Sequence, residues 1–172
     1  MKKFFTLICP ILFASCLCFG GCRNTDTVFS IYADGAYENT LSERNSYSLS
    51  DIASVKEKIE TESGLLLVLI GAPWCPYCAS DIGPIDERFR ESPLSDTVEN
   101  ILYIDVADSQ ISTETIMEFN RTYDWSVRTR IPCLMAIQNK TLVAAITDEQ
   151  FTQYDDRIKR IDKFFSFLET TS

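Results

Sequence analysis

The sequence predicts an α/β fold in which a central mixed β-sheet of about four to five strands is flanked by helices. Three patterns support this prediction. The run "LLLVLI" at 65–70 is continuously apolar, as expected for a strand covered on both faces, and "ILYIDV" at 101–106 reads as the next strand. The runs "CLMAI" and "TLVAAIT", separated by "QNK", indicate a β-hairpin later in the chain.

Length and composition limit the function classes to which the chain can belong. Its 172 residues allow one domain and a short extra segment, and its 45% apolar content argues against disorder. The net charge of -9, without a Lys/Arg cluster, argues against a nucleic-acid partner. The sequence contains no histidine, which excludes Ser-His and Cys-His hydrolases and every His-containing zinc site.

The segment 1–21 has the layout of a secretory signal peptide, because two lysines precede an apolar stretch that is short for a membrane-spanning helix. The stretch leads to "FGGC", which resembles the lipobox of bacterial lipoproteins. This resemblance implies that Cys22 is acylated and becomes the mature N-terminus, with Cys16 in "FASC" as a rival position. We therefore expect an extracytoplasmic protein, lipid-anchored to the bacterial membrane, or a secreted one if Cys22 is not acylated.

Residues 22–48 are rich in polar side chains, and we interpret them as a tether whose apolar patch "VFSIY" at 28–32 is a candidate edge strand. The domain is predicted to span 49–172. Its first helix has Ser50 as N-cap and ends at Gly64. The inward face of this helix is formed by Ile52, Val55 and Ile59.

Three further helices are predicted from apolar residues at helical spacing. One begins at the "CPYC" segment, and its interior Pro84 is expected to kink it. Another lies within 111–123, and the last runs from about Glu149 to Glu169. The inward-facing residues are expected to be Ile82, Ile85 and Phe89, then Ile116 and Phe119, then Tyr154, Ile158, Ile161, Phe165 and Leu168.

The segment "GAPWCPYC" at 71–78 places two cysteines between the buried strand and the next helix. A cysteine at a helix N-terminus faces unpaired N–H groups and the positive end of the helix dipole, and both favour the nucleophilic thiolate. The spacing puts Cys78 within reach of the Cys75 sulfur, so a mixed disulfide at Cys75 can be resolved internally. Pro76 suits the first helical turn because it lacks an N–H, and Trp74 is expected to cover the site as an apolar flank.

Two other interpretations of this cysteine pair remain open at this point. A structural zinc site needs four ligands, and the predicted domain offers one further cysteine and no histidine. A structural disulfide is the second, although closing so small a loop constrains the unfolded chain little. A CxxC at a strand-to-helix junction within a βαβ pattern favours redox chemistry, for which no cofactor beyond a redox-active Cys75-Cys78 disulfide is expected.

The chain resembles the thioredoxin superfamily over the region from residue 50 to residue 170. The matching pieces are "WCPYC" after a buried strand, Pro84 in the next helix, and "RIPCL" downstream. The site residues that the resemblance implies are Cys75 and Cys78 as catalytic, Trp74, Pro76 and Tyr77 as the active-site flank, and Ile131 and Pro132 as substrate-binding. It also implies a thioredoxin-like fold, a cis bond before Pro132 beside Cys75, and a backbone at Ile131 that pairs with an incoming peptide.

The sequence departs from the thioredoxin pattern at two buried positions. Where thioredoxins carry an acid six residues before the first motif cysteine, this chain has Leu69, and the accompanying lysine aligns loosely with Tyr103. Proton transfer at Cys78 would then use water or Asp81, although we expect Asp81 to be a solvated surface carboxylate. The dipeptide between the cysteines is that of glutaredoxins, which suggests a redox potential on the order of -200 to -230 mV.

Cys133 follows the predicted cis-proline and opens a strand. Because neighbouring residues of a strand point to opposite faces, we expect its side chain to point away from Cys75 into the core. A third redox or metal-binding thiol is the alternative role.

These observations predict a membrane-anchored, extracytoplasmic thiol-disulfide oxidoreductase. We favour a reductase over an oxidase, because comparable lipid-anchored thioredoxin-like proteins are mostly reductases. Its expected partners are exported protein thiols or disulfides, a membrane redox partner, and the membrane itself through the lipid anchor. One alternative is a partner-binding accessory module, since "IGAPWCPYC" and "YID" also resemble bacteriocin-transport accessory proteins. A weaker alternative is metal delivery through Cys75, Cys78 and Cys133.

Overall fold

The computed structural model describes residues 27–107, 111–125 and 130–171, within which five strands form one sheet. The strands are β1 Tyr47–Leu49, β2 Leu66–Gly71, β3 Ile101–Asp105, β4 Cys133–Gln138 and β5 Thr141–Ala145. The helices are α1 Val28–Ala33, α2 Ile52–Thr61, α3 Pro76–Glu91, α4 Thr113–Thr122, α5 Glu149–Thr152 and α6 Arg157–Thr171, and a short 3-10 helix covers Pro93–Asp96.

The strand order is β1-β3-β2-β4-β5, which confirms the predicted mixed sheet. The first three strands in this order are parallel, whereas β4 pairs antiparallel with β2 and β5 pairs antiparallel with β4. The predicted hairpin is therefore present at the edge of the sheet. Because β2 is the middle strand, the segment that follows it begins at the centre of the sheet, where the β2 strand ends.

Strand alternation divides the core between the two faces of the sheet. One face is covered by α1, α3 and α6, and we call it the thiol-pair face. Its buried strand residues include Leu67, Leu69, Ile101, Tyr103 and Leu134. The opposite face is covered by α2 and α4. Its buried strand residues include Val68, Ile70, Ile104, Cys133 and Met135.

The predicted helices around the sheet are present, with small shifts at their ends. The first predicted helix is α2, and its N-cap is Asp51 rather than Ser50, because the Asp51 carboxylate accepts a hydrogen bond from the Ser54 N–H at 2.7 Å. The helix that carries the cysteines is α3, which continues past Pro84 to Glu91.

The edge strand predicted at 28–32 is wrong, since this segment is α1. Thr27 and Ser30 cap each other reciprocally at its start, and Val28 and Tyr32 are buried one helical turn apart against the thiol-pair face. The actual edge strand is β1, which pairs with β3.

The interpretation of residues 22–48 as a tether is also wrong for the described part of that range. Leu41 is buried in the core, and the Ser46 N–H donates to the buried Asp86 carboxylate at 2.7 Å. A Cβ at Gly83 would lie 2.9 Å from the Thr40 carbonyl carbon, so this stretch is packed closely onto α3. The domain therefore includes chain that polar composition alone assigned to a linker.

The single helix predicted from about Glu149 to Glu169 is wrong, because α5 and α6 are separate helices. The Asp156 carboxylate accepts the Lys159 N–H at 3.1 Å, which supports a new helix start at this point. The new helix places Ile158 on its outer side, where 51% of the residue is exposed, rather than in the core.

The predicted signal peptide at 1–21 and the candidate lipidation positions Cys22 and Cys16 lie outside the described residues. None of the helices in the described ranges combines the length and the apolar character needed to cross a bilayer.

Candidate active site

Cys75 is the N-cap residue of α3, as the position of the motif predicted. Its backbone is extended, with φ -90° and ψ 117°, and its Sγ accepts a hydrogen bond from the Cys78 N–H at 3.4 Å. Pro76 occupies the first turn, where no N–H is required. The sulfur of Cys75 therefore lies beside the backbone N–H groups at the start of α3.

The loop before β4 completes the surroundings of this sulfur. The peptide bond between Ile131 and Pro132 is cis, as predicted, and the Cys75 thiol points at the Ile131 carbonyl oxygen with a distance of 3.9 Å. The structure thus brings the two cysteines, Ile131 and Pro132 together. The loop leaves backbone groups of residue 131 beside the Cys75 sulfur, where an extended peptide could pair with them.

The two aromatic residues of the motif lie at the rim of the site. Trp74 is 56% exposed and Tyr77 is 62% exposed, whereas Cys75 between them is buried. Two large aromatic side chains with this exposure, on either side of Cys75, are available to a binding partner.

Cys78 lies below the rim and is almost completely buried. Burial raises the pKa of its thiol well above the ordinary value, and the neighbouring Cys75 and then Asp81 raise it further. Both motif cysteines are free thiols in the structure. Cys75 is buried as well, and its sulfur accepts an N–H of α3, whereas burial raises the pKa of the Cys78 thiol.

Asp81 is buried and paired, which corrects the expectation of a solvated carboxylate. Only 9% of the residue is exposed, and its side chain forms an ion pair with Arg157 of α6. Burial raises the Asp81 pKa, and the Arg157 guanidinium offsets part of this increase. Arg157 also donates to the Tyr77 carbonyl oxygen at 2.5 Å and lies 5.0 Å from the centre of the Tyr77 ring. One arginine thus fastens the first turns of α3 to the start of α6.

A pair of tyrosine hydroxyls lies behind the motif, near the positions where the resemblance would place an acid and a lysine. Leu69 is buried and adjacent in register to Tyr103, and the Tyr103 hydroxyl lies 3.0 Å from the Tyr32 hydroxyl. Burial raises the pKa of both tyrosines, and the nearby thiols add to this effect. A Cβ at Gly71 would lie 3.1 Å from the Tyr103 hydroxyl, so a larger residue would crowd the pair. A neutral hydroxyl pair therefore occupies this part of the core.

Cys133 is buried on the opposite face, which confirms that its side chain points away from Cys75. Desolvation raises the pKa of its thiol to about 12. Within the described ranges, no group of three or more His, Cys, Asp or Glu residues is placed to hold a metal ion. Metal binding by all three cysteines together would require them to share one side of the sheet, and they do not.

Two grooves flank Cys75 and share Arg130 and Ile131. The groove on the Trp74 side has a volume of about 240 Å³ and is mostly apolar. Its apolar residues include Ile70, Trp74, Val106, Ile111 and Ile116. The groove on the Tyr77 side has a volume of about 310 Å³ and contains charged side chains of both signs. Its charged residues are Asp81, Arg130, Asp155, Arg157 and Arg160.

The sequence patterns did not indicate the roles of Tyr32 and Arg157 at the site. The signal for Tyr32 was present, because Thr27, Val28 and Tyr32 have the spacing of a capped helical turn. Nothing in the sequence pairs Arg157 with Asp81, since the two residues are far apart in the chain and meet only after α6 packs on α3.

Comparison with solved structures identifies the fold. Thioredoxin O2 from Arabidopsis thaliana in its oxidized state has a TM-score of 0.50 and 16% identity, covering 75% of this chain and 99% of that chain. Chlamydomonas reinhardtii thioredoxin f2 has a TM-score of 0.46 and 17% identity, covering 72% and 94%. Malassezia sympodialis thioredoxin (Mala s 13) has a TM-score of 0.43 and 18% identity, covering 67% and 91%. Neither a protein-family model nor a curated protein sequence matches the chain. The likeness to the Arabidopsis protein confirms the predicted thioredoxin-like fold.

Proposed function

We propose that this chain, whose fold is thioredoxin-like, is a thiol-disulfide oxidoreductase in which Cys75 is the nucleophile and Cys78 resolves the intermediate. The observation that carries the proposal is the surroundings of the Cys75 sulfur. It accepts the Cys78 N–H at 3.4 Å at the start of α3 and lies 3.9 Å from the carbonyl oxygen of Ile131. These contacts combine an activated sulfur with a backbone edge for a substrate.

In the first step of the reducing direction, the Cys75 thiolate attacks one sulfur of a substrate disulfide. The substrate S–S bond breaks, a mixed disulfide with Cys75 forms, and the departing substrate sulfur takes a proton to become a thiol. The donors at the start of α3 stabilise the attacking thiolate. Ile131 pairs with the substrate backbone so that the target sulfur lies in line with Cys75.

In the second step, Cys78 loses its proton and attacks the Cys75 sulfur. The mixed disulfide breaks, the Cys75-Cys78 disulfide forms, and the second substrate thiol leaves with a proton. Two electrons and two protons have then passed from the dithiol to the substrate. Because burial raises the Cys78 pKa, this step needs a proton acceptor, and we assign that role to Asp81, one helical turn further along α3.

The proposal extends to location and direction. The sequence of residues 1–22 supports export and a lipid anchor at Cys22, which would hold the enzyme at the outer surface of the cytoplasmic membrane. In the reducing direction the enzyme would act on exported protein disulfides and would take electrons from a membrane redox partner. It would need no cofactor besides the Cys75-Cys78 disulfide.

The reduction potential of the Cys75-Cys78 pair tests the proposal. The chain lacking residues 1–22 would be equilibrated against defined thiol-disulfide buffers. A potential near the roughly -270 mV of thioredoxin would support a reductase, and one near the roughly -120 mV of DsbA would make the protein a disulfide donor. Lack of any reversible two-electron couple would reject the enzyme and favour the partner-binding module.

Trapping experiments test the two roles separately. We expect the C78S variant to accumulate mixed disulfides, because Cys75 still attacks and no internal thiol resolves the product. The C75S variant should trap them poorly. Equal trapping by both variants would contradict the assignment.

A further inference from the structure

The groove on the Tyr77 side of Cys75 differs in charge from the rest of the protein. The whole chain has a net charge of -9, yet three arginines meet in this groove with only two carboxylates. The arginines are Arg130, Arg157 and Arg160, and the carboxylates are Asp81 and Asp155. The groove therefore has a local excess of positive charge and lies beside the proposed nucleophile.

The arginines do not all have the same freedom to bind a ligand. Arg157 is already engaged by Asp81 and by the Tyr77 carbonyl oxygen. Arg160 gives one hydrogen bond, from its NH2 group to the Tyr154 carbonyl oxygen at 2.9 Å, and its buried Nε has no partner in the described residues. Arg130 is exposed and forms no ion pair within the described part of the chain.

The groove also lies where a bound peptide would pass. Ile131 and Pro132 line it, and the Ile131 carbonyl oxygen is 3.9 Å from the Cys75 sulfur. A peptide that pairs with Ile131 in an extended conformation sends alternate side chains to opposite sides. A side chain next to the target cysteine can then enter this groove while another enters the apolar groove beside Trp74.

A carboxylate matches the donors that the groove offers. The guanidinium group is planar, remains charged and presents paired N–H donors that suit both oxygens of a carboxylate. The volume of about 310 Å³ accommodates a side chain of the size of glutamate. Because Asp81 is paired with Arg157, a lysine in the same place would meet Arg130 and Arg160 with like charge and Asp155 with opposite charge.

We propose that this groove is a carboxylate subsite, and that the protein prefers substrates with an acidic residue close to the target cysteine. Arg130 and Arg160 bind the acidic side chain, whereas Arg157 positions the groove by holding α6 against α3. This inference rests on the proposed oxidoreductase function, because the substrate is located relative to Cys75.

Reduction of matched disulfide peptides by the purified full-length protein tests the subsite. Each peptide carries one cysteine in a disulfide with uncharged 2-mercaptoethanol. One residue, within two positions of this cysteine on either side, is varied between Glu, Gln and Lys. The protein is reduced beforehand and reacts once with each peptide. At one of these positions we expect the second-order rate constant to be about three- to tenfold higher for Glu than for Gln, and lowest for Lys, as for a partly exposed charge-assisted contact. The preference should decline as salt is added.

Two variants and one control locate the effect. In R130Q and R160Q the ratio of the Glu rate to the Gln rate should move towards one. The control R121Q removes the same charge from an exposed position on α4, which covers the opposite face, and should keep the wild-type ratio.

The remaining outcomes distinguish a failure of the subsite proposal from a failure of the proposed oxidoreductase function. Equal rates for Glu, Gln and Lys peptides at every position, with all peptides reduced, would overturn the subsite and leave the oxidoreductase intact. An unchanged Glu preference in both R130Q and R160Q would overturn the assignment to this groove. Failure to reduce any peptide, including the neutral one, would overturn the proposed function and this inference with it.

Discussion

The two faces of the sheet bury similar apolar side chains but differ in the polar groups placed among them. The thiol-pair face contains Cys78 and the Tyr32–Tyr103 hydroxyl pair, and its helix α3 carries the buried carboxylates Asp81 and Asp86. On the opposite face Cys133 lies among aliphatic and aromatic residues, and the buried Asn120 of α4 adds a polar side chain. Burial alone therefore does not distinguish the proposed catalytic cysteines from Cys133. The motif cysteines differ from Cys133 because they lie at a helix N-terminus, near a carbonyl oxygen and near several buried polar groups.

The largest expected difference between the faces is in catalysis. We expect C75S to lose disulfide reductase activity by at least on the order of 1,000-fold, because it removes the nucleophile. C133A should stay within about twofold of the wild type, since Cys133 lies on the other face and its raised pKa keeps it protonated. The measurement is the steady-state reduction of a disulfide peptide with a chemical thiol as electron source. A comparable loss in C133A would remove the distinction between the faces.

A large effect on stability without an effect on redox chemistry is expected for a core residue of the opposite face. Phe119 is fully buried there and packs edge-on against Trp125 with ring centroids 5.6 Å apart. F119A should lower the free energy of unfolding by about 3 to 5 kcal/mol, through lost apolar burial and a cavity. Urea unfolding measures this loss, and the potential of the Cys75-Cys78 pair should not change. A shifted potential would show that the opposite face tunes the thiols.

A smaller loss of stability is expected from the hydroxyl pair. Y103F removes one partner of the 3.0 Å contact and leaves the Tyr32 hydroxyl unpaired in the core. We expect the free energy of unfolding to fall by about 1 kcal/mol. The control Y37F removes a hydroxyl from an exposed tyrosine and should have almost no effect. A stability equal to wild type in Y103F would mean that the hydroxyl contact contributes nothing net.

The smallest expected effect is on the pH dependence of stability. The Asp81 pKa is raised in the folded state, so its protonation favours folding. This contribution is fully present below the ordinary carboxyl pKa of about 4 and is lost as the pH rises through the higher folded pKa. The stability of D81N relative to wild type should therefore increase with pH across this window. Urea unfolding of both proteins at several pH values tests the slope, and an opposite slope would contradict a raised pKa.

The sheet and the centre of the site could be predicted from local patterns. Continuous apolar runs indicate buried strands, and "WCPYC" with "RIPCL" indicates a helix-capping cysteine facing a proline loop. In each case the responsible residues are close in sequence or belong to a recurring motif.

The parts that were mispredicted depend on contacts between distant segments. The residues of "VFSIY" have high strand propensity, and α1 forms because Tyr32 can bury its ring against Tyr103 on the thiol-pair face. Asp81 resembles any polar helix residue until Arg157 reaches it from α6. Such pairs leave no periodic signal within a single segment.

The packing of α1 limits how far the thiol pair can lie from residue Cys22. Tyr32 contacts the region of Gly71, and a Cβ at Gly35 would lie 3.3 Å from the Pro73 carbonyl oxygen, so this helix is attached directly behind the motif. Thr27, at its start, follows Cys22 by a contour length of at most about 18 Å. A lipid on Cys22 would thus keep the thiol pair close to the bilayer surface. Its effective concentration for partners embedded in the same membrane would be high. Under the proposed function, lengthening the segment between Cys22 and Thr27 should widen the range of exported proteins that are reduced and slow the reaction with the proposed membrane partner.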